Sequence, residues 1–230
     1  MCIRDRAGPY PYFLAVLALL LSTPSLGQVE TDNPMSFFVT SQTNSGDLGG
    51  LVGADAICQR LAVAVGAGNR TWRAYLSTYG TNTTEGENAR DRIGNGPRYN
   101  ARGVRIAPNV ADLHGDIQRD RNLIYRETAL DERGDLVNGR VRPEGTNNEH
   151  DILTGSDSHG RAVAGDSDRQ NYTCNNWTYD GDDGHAIIGH HDRLSASNTS
   201  WNSSHATAGC SLASFNSTGG AGRLYCFAGD

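Results

Sequence analysis

One segment of the chain carries apolar residues at the spacing of an α-helix. Its apolar positions recur every three or four residues, so they share one helical face. Gly66 follows directly, and glycine is typical of the position after a helix C-terminus. The pattern predicts a helix over 54–65 with Cys58 on its buried face. The apolar positions are Ala54, Ile57, Cys58, Leu61, Ala62 and Val65.

Three short runs have the composition of β-strands. Phe37–Thr40 is aromatic and β-branched, and Leu224–Ala228 is apolar. Trp72–Ser77 alternates, which turns Trp72 and Leu76 inward. A helix and strands joined by long polar connections predict an α+β fold that is rich in loops.

The pattern from residue 79 to residue 148 is weak. Val104–Ile106 and Leu136–Val137 are candidate strands, and Ala107–His114 could form one or two helical turns. Scattered Ile, Leu and Tyr favour ordered loops over disorder. Further on, Trp177 lies three residues after a cysteine and is predicted to be in the core.

The N-terminus has the pattern of a secretory signal peptide. Two arginines precede the apolar run Phe13–Leu21, and small residues follow it as far as Gly27. The run is too short to cross a bilayer as a helix; the alternative is a buried N-terminal helix. We expect a signal peptide over 1–27, a leader over 28–35 and one domain over 36–230, secreted to an extracellular or periplasmic space. The opening Met1–Arg6 also resembles translated adapter sequence, which would place the natural start downstream.

Composition and charge exclude several function classes. The net charge of −6 argues against a nucleic-acid partner, since such binding depends on neutralising phosphates. All 20 basic residues are Arg, so a Lys nucleophile, a Schiff base and a P-loop lysine are excluded. The five arginines within 90–105 could form a local polyanion patch, or be solvated loop charges.

Four cysteines remain after the predicted cleavage: Cys58, Cys174, Cys210 and Cys226. An even count in a secreted chain indicates two disulfides, with three possible pairings. A cysteine on a helix near the start and one on a strand near the end could join the two termini. A zinc site built from all four thiolates is the weaker alternative, because no C-x-x-C spacing occurs.

Several short motifs follow one another along the chain: Gly53-Ala54-Asp55, Cys58, Gly66, Thr71–Ser77, Gly155-Ser156-Asp157, Gly160-Arg161, Tyr172–Trp177, Cys210 and Tyr225-Cys226. The endostatin domain of collagens has similar motifs in the same order: G-A-D, a helix cysteine, T-F-R-A-F-L-S, G-S-D-x-x-G-R and Y-C-x-x-W. The chain over 37–230 resembles this domain, a member of the C-type-lectin-like superfamily, and secreted bacterial lectin-like proteins look closer still.

The resemblance implies an endostatin-like variant of the C-type-lectin-like fold, with the pairs Cys58–Cys226 and Cys174–Cys210. The function we expect is non-catalytic recognition of an extracellular ligand, most readily a glycan. The alternative is a protein-binding or adhesive surface module without a sugar site. A metal-dependent hydrolase comes third, because no G-x-S-x-G elbow accompanies the plentiful Ser and His.

The resemblance raises the question of a calcium site. Sugar-binding C-type lectins hold calcium with an E-P-N or Q-P-D segment and a W-N-D segment. Neither E-P-N nor Q-P-D occurs, and Trp201-Asn202 is followed by Ser203 instead of Asp. The standard lectin ligands therefore do not carry over. Calcium, if bound, is expected at Asp180, Asp182 and Asp183 of the acidic loop (residues 180–184). The alternative is a solvated acidic turn.

The histidines near the C-terminal end of the chain are candidate zinc ligands. His185, His190, His191 and Asp192 fall within eight residues, and His205 follows. Adjacent residues point in different directions, so His190 and His191 do not readily face one ion. The alternative is loop histidines hydrogen-bonded to Asp, and His150-Asp151 could be a similar local pair.

The predicted ligand site centres on Trp201, which is flanked by Ser and Asn and could stack on a sugar ring. The alternative is that Trp201 anchors its loop to the core. The residues predicted to bind ligand are Trp201, Asn202, Asp182, Asp183, His190 and Asp192.

Overall fold

One mixed sheet organises the part of the chain that the structure describes. The structure is a computed structural model that describes Met1 and residues 33–80, 85–118, 121–163, 172–195 and 198–229. Apart from Met1, the predicted signal peptide lies outside these residues, as does the leader up to residue 32. The strands are β1 (Phe37–Val39), β2 (Trp72–Ala74), β3 (Arg98–Tyr99), β4 (Arg105–Ala107), β5 (Asp151–Leu153), β6 (Ile187–His190), β7 (His205–Ala206) and β8 (Gly220–Ala228). The helices are α1 (Gly50–Ala64), α2 (Ala89–Arg92), α3 (Val110–His114), α4 (Cys174–Trp177, a left-handed turn) and α5 (Leu212–Thr218).

The C-terminal strand β8 is the centre of this sheet. β1 pairs antiparallel with one of its edges, with Phe38 opposite Cys226. Its other edge pairs parallel with β5 along the first half and antiparallel with β2 along the second. β6 and β7 extend the sheet beyond β5, which gives the order β1-β8-β5-β6-β7. β3 and β4 form a separate pair.

Each face of β8 covers its own apolar cluster. Successive strand residues point to opposite faces, so Leu224 and Cys226 pack on the α1 side while Tyr225 and Phe227 pack on the other. The second cluster draws on the polar middle of the chain, which supplies Ile93, Ile106, Leu113 and Ile124. Ordered loops are therefore confirmed there for the residues described.

Most of the predicted elements are confirmed. The helix begins at Gly50, earlier than expected, and buries Cys58. The strands at Phe37–Thr40, Trp72–Ser77 and Leu224–Ala228 form as β1, β2 and β8, although β2 ends at Ala74.

The candidate strand Leu136–Val137 is wrong. Leu136 makes only an isolated bridge with Leu130. The Asp131 carboxylate accepts hydrogen bonds from the backbone N–H groups of Arg133 and Asp135, so this segment turns back on itself too tightly for a strand.

Both implied disulfides are confirmed, and the fold is mixed α and β with two bridges. Cys58 joins α1 to Cys226 on β8, and Cys174 joins Cys210. Such bridges are typical of oxidising compartments. No helix within the described ranges combines the length and the apolar character needed to cross a bilayer.

Removing the bridges one at a time should lower stability unequally. The Cys58–Cys226 bridge closes 168 residues and the other closes 36. Loop-closure entropy then gives stabilisations of about 5 and about 4 kcal/mol. One double variant replaces Cys58 and Cys226 by Ala, and the other replaces Cys174 and Cys210. In urea unfolding we expect the first to lose more free energy of unfolding than the second. A larger loss for the short loop would contradict this account.

Candidate ligand cleft and histidine cluster

The three carboxylates of the acidic loop are exposed and stay apart. Those of Asp180, Asp182 and Asp183 do not converge. Asp183 accepts a hydrogen bond from the Tyr179 hydroxyl, and Asp182 accepts one from Ser211. This arrangement is that of a solvated acidic turn, and calcium binding at the loop stays a prediction.

Trp201 is buried and does not present an exposed stacking face. The residue is 4% exposed, and its ring centroid lies 4.9 Å from that of Tyr75 and 5.4 Å from that of Tyr225. The Tyr225 hydroxyl also donates to the Trp201 carbonyl oxygen. The prediction that Trp201 is exposed is therefore wrong. The alternative holds, in which Trp201 anchors its loop to the core. Trp177 is buried, as predicted.

Asn202 is held in the interior by a complete set of hydrogen bonds. Its Nδ2 donates to the Tyr75 hydroxyl at 3.0 Å and to the Asp157 carbonyl at 3.1 Å. Its Oδ1 accepts from the Ser200 hydroxyl at 3.0 Å. Asn202 therefore ties its loop to the turn at residues 157–160, which is the turn that matches G-S-D-x-x-G-R.

A polar chain of hydrogen bonds continues from Asn202 to α3. The Tyr75 hydroxyl, which accepts from Asn202, lies 2.7 Å from His114 Nε2. Burial lowers the pKa of His114 to about 4, against the backbone bond to Val110, so the ring is neutral at pH 7. Its Nδ1 therefore donates to the Val110 carbonyl at 2.8 Å, and its Nε2 accepts from the Tyr75 hydroxyl.

These anchored residues form the floor of an open cleft with a volume of about 260 Å³. His159, half exposed, stands on the rim. Arg193 lies over the Tyr125 ring at 4.7 Å and donates to Asn122. We call this site the cleft. Its lining residues are His114, Gly115, Asn122, Ser158, His159, Arg193, Thr199, Ser200, Trp201 and Asn202.

His190 and Asp192, two further predicted ligand residues, lie away from the cleft. They belong to a group that is buried except for His205 and that we call the histidine cluster: His150, Asp151, His190, His205 and Asp192. β5 pairs with β6 so that Asp151 lies opposite His190. Asp151 Oδ1 lies 3.1 Å from His150 Nε2, 3.2 Å from His190 Nε2 and 3.7 Å from His205 Nε2. His150, Asp151 and His190 are the one group of three or more potential metal ligands in the described part.

The members of this cluster are recognisable in the sequence, but their meeting is not. His150-Asp151 was predicted as a local pair, and His190 and Asp192 were predicted in one ligand site with Trp201. His191 points away from His190, as predicted for adjacent residues. Its Nε2 lies 3.3 Å from the Asn138 carbonyl oxygen. His185 instead contacts the Thr207 carbonyl oxygen through Nδ1.

Charge is concentrated in the cluster. Burial would lower the pKa of His150, but Asp151 and Asp192 overcome this and raise it to about 9. Burial would raise the pKa of Asp192, but His150 and the N–H groups of Leu194 and Arg140 hold it well below its usual range. The pKa of Asp151 is also lowered. Burial would raise it, but the neighbouring His150 and His190 have the larger, opposite effect. The cluster therefore holds its carboxylates ionised.

Three of the five arginines within residues 90–105 are engaged in the fold and do not offer a free surface to a polyanion. Arg90 pairs with Asp116, and Arg92 pairs with Asp55. Arg98 is buried and donates to the Ala228 and Gly94 carbonyls. These arginines hold the fold together.

Comparison with known proteins adds no family. No protein-family model matches the chain, and no curated protein matches it.

The buried neutral His114 should make stability depend on pH. Its folded pKa of about 4 lies below the value near 6.5 of an unfolded histidine. The unfolded chain therefore takes up the proton first, and this contribution is present above pH 6.5 and lost as the pH falls through 4. We expect a loss on the order of 3 kcal/mol.

Urea unfolding of His114→Gln between pH 7.5 and 4 should show a smaller pH-dependence than the original protein. His159→Gln, at the exposed rim, is the matched control and should keep the original dependence. Equal dependence in all three proteins would show that His114 is not the buried neutral group described.

Proposed function

We propose that this protein is a secreted, non-catalytic recognition domain that binds a glycan in the cleft. The observation that carries the proposal is the combination of an open cavity of about 260 Å³ with a rim of hydrogen-bonding groups. Most pockets for drug-sized ligands are larger and mostly apolar. A small polar cavity suits a ligand with many hydroxyls, such as one terminal sugar residue.

The rim offers donors and acceptors in several directions. Ser158 and Thr199 carry hydroxyls that both donate and accept, while the Ser200 hydroxyl, whose hydrogen goes to Asn202, can only accept. His159 and Arg193 add ring and guanidinium N–H donors. Asn202 and Trp201 belong to this site as its fixed floor, because their own hydrogen bonds and ring contacts are already made. A preorganised floor lowers the entropy lost when a ligand binds.

We also propose that the fold is the endostatin-like variant of the C-type-lectin-like fold. In support, the matching motifs occupy structural positions that need those residues. Gly53 packs against the Leu48 carbonyl, where a Cβ would clash. Gly160 has φ of 75° and lies against Tyr75 and His114, so the turn beside the cleft also requires glycine. The confirmed cysteine pairing is the one that the resemblance implies.

A glycan array on the oxidised protein, with and without added calcium, tests the assignment. We expect a defined set of glycans to be bound equally in both conditions, because the acidic loop does not gather its carboxylates. Binding that requires calcium would contradict this mode of recognition. Absence of glycan binding by folded protein would favour the protein-binding or adhesive alternative.

Two variants locate the binding site. His159→Ala removes an exposed rim donor, and Ser158→Tyr places a ring at the cleft mouth; each should weaken binding of the best array glycan by at least 10-fold. Ser217→Tyr, exposed on α5, is the matched control and should bind normally. Unchanged binding by Ser158→Tyr would move the site out of the cleft.

Trp201→Ala should behave differently from these rim variants. Removing a buried tryptophan side chain costs about 3–5 kcal/mol of folding stability. We therefore expect a large loss in urea unfolding. A Trp201→Ala protein of full stability that fails only in glycan binding would contradict the anchoring role.

A further inference from the structure

The histidine cluster has an orientation that the cleft does not explain. Three imidazoles from three different strands or strand ends turn the same atom, Nε2, toward Asp151 Oδ1. The rings of His150 and His190 stack in parallel, with centroids 4.1 Å apart. Asp151, His150 and His190 are each about 98% buried at the side chain, so this arrangement is part of the interior.

The second nitrogen of each ring is held by an acceptor outside the cluster's centre. His150 Nδ1 lies 3.1 Å from Asp192 Oδ1, and His205 Nδ1 lies 3.0 Å from the Ala206 carbonyl oxygen. The Ala206 carbonyl oxygen has no proton to give, and Asp192 Oδ1 already accepts the backbone N–H of Leu194. Nδ1 of these two rings therefore carries the hydrogen.

The same holds for His190. Its Nδ1 lies 3.1 Å from the Ser204 hydroxyl, and that hydroxyl donates its one hydrogen to the Asn198 carbonyl at 2.9 Å. Ser204 must then accept from His190 Nδ1. Each ring consequently turns toward Asp151 the one nitrogen, Nε2, on which a metal ion can take the place of a proton.

A buried carboxylate that faces three imidazoles needs positive charge beside it, either a proton on an imidazole or a metal ion between the groups. Three buried atoms of this cluster make no hydrogen bond to any described residue: both carboxylate oxygens of Asp151 and Nε2 of His190. Buried polar atoms without partners are rare and need an explanation. Histidine rings oriented through Nδ1 by a carboxylate or a carbonyl are the usual surroundings of a metal ligand.

The ligand atoms of His150, Asp151 and His190 all lie within 4.8 Å of one another, and His205 lies just outside this set on the solvent side. Zinc bonds of 2.0–2.1 Å to nitrogen give about 3.3 Å between neighbouring ligands of a tetrahedron. The three observed separations from Asp151 Oδ1 are 3.1, 3.2 and 3.7 Å. Three nitrogens and one oxygen favour zinc or a similar divalent transition metal over calcium or magnesium, which prefer oxygen ligands.

We propose that His150, Asp151, His190 and His205 bind one divalent transition-metal ion of the zinc class, through three Nε2 atoms and one carboxylate oxygen. His205 is 41% exposed at the side chain and closes the site from the solvent side. Asp192 and Ser204 are positioning residues, because they hold the rings of His150 and His190.

The ion also has a structural role. His190 ends β6 and His205 begins β7, so two of the four ligands bracket the connection that carries Thr199, Ser200, Trp201 and Asn202. Metal bound at these two residues closes this connection into a loop and thereby holds one wall of the cleft. This inference does not depend on which ligand the cleft binds.

Calorimetric titration with zinc chloride alone, on oxidised full-length protein first stripped with a chelator, tests the proposal. We expect one zinc ion per chain. Asp151→Asn, which keeps the shape but removes the charge, should weaken binding by at least 100-fold. His205→Ala tests the exposed ligand and should weaken it by at least 10-fold. Asp192→Asn should weaken it by 10- to 100-fold. His159→Ala, an exposed histidine outside the cluster, is the matched control and should bind zinc normally.

Two further readouts separate a metal site from a merely structural cluster. Cobalt chloride should give the visible absorption of a tetrahedral nitrogen and oxygen site in the original protein and in His159→Ala, but not in Asp151→Asn. Zinc should also slow amide hydrogen exchange in residues 198–204. The proposal fails if folded protein binds no stoichiometric zinc, or if Asp151→Asn binds it equally well. Zinc binding without slower exchange would overturn the role in holding the cleft wall.

Discussion

The pairing of β8 with three other strands is the constraint on which the rest of the structure depends. A strand with both faces buried must be apolar on both, and β8 meets this requirement with residues that serve two separate clusters. The Cys58–Cys226 bridge then ties α1 to the same strand. Because β5 lies parallel beside β8, and β6 and β7 follow it outward, the position of β8 determines where the cleft and the histidine cluster form.

The two sites divide the polar residues of this half of the sheet between them. In the cleft, neutral groups relay hydrogen bonds from Asn202 through Tyr75 to His114, and the floor is rigid before any ligand arrives. In the histidine cluster, two buried carboxylates meet imidazoles, and the balancing positive charge comes from protonated imidazole or from the metal ion that we propose. The connection from β6 to β7 contributes to both sites, because it lines the cleft and its two ends lie in the histidine cluster. A change in the stability of the cluster therefore affects the shape of the cleft.

Local patterns predicted the elements whose stability is local, and failed where distant residues meet. The apolar period of α1 and the alternation of β2 lie within a few residues, and both are confirmed. The burial of Trp201 could not be read from its polar neighbours, because its cover comes from Tyr75 and Tyr225 elsewhere in the chain. Asp151 and His190 are 39 positions apart and meet only through the register of β5 with β6. The acidic loop shows the converse, since a local density of carboxylates does not make them converge.

Diffraction from zinc-soaked crystals, measured on both sides of the zinc absorption edge, tests most directly the claim that strand pairing assembles a metal site from distant residues. The account predicts one anomalous peak at about 2 Å from Nε2 of His150, Nε2 of His190 and Oδ1 of Asp151. A peak at the acidic loop instead, or none within reach of Asp151, would contradict it.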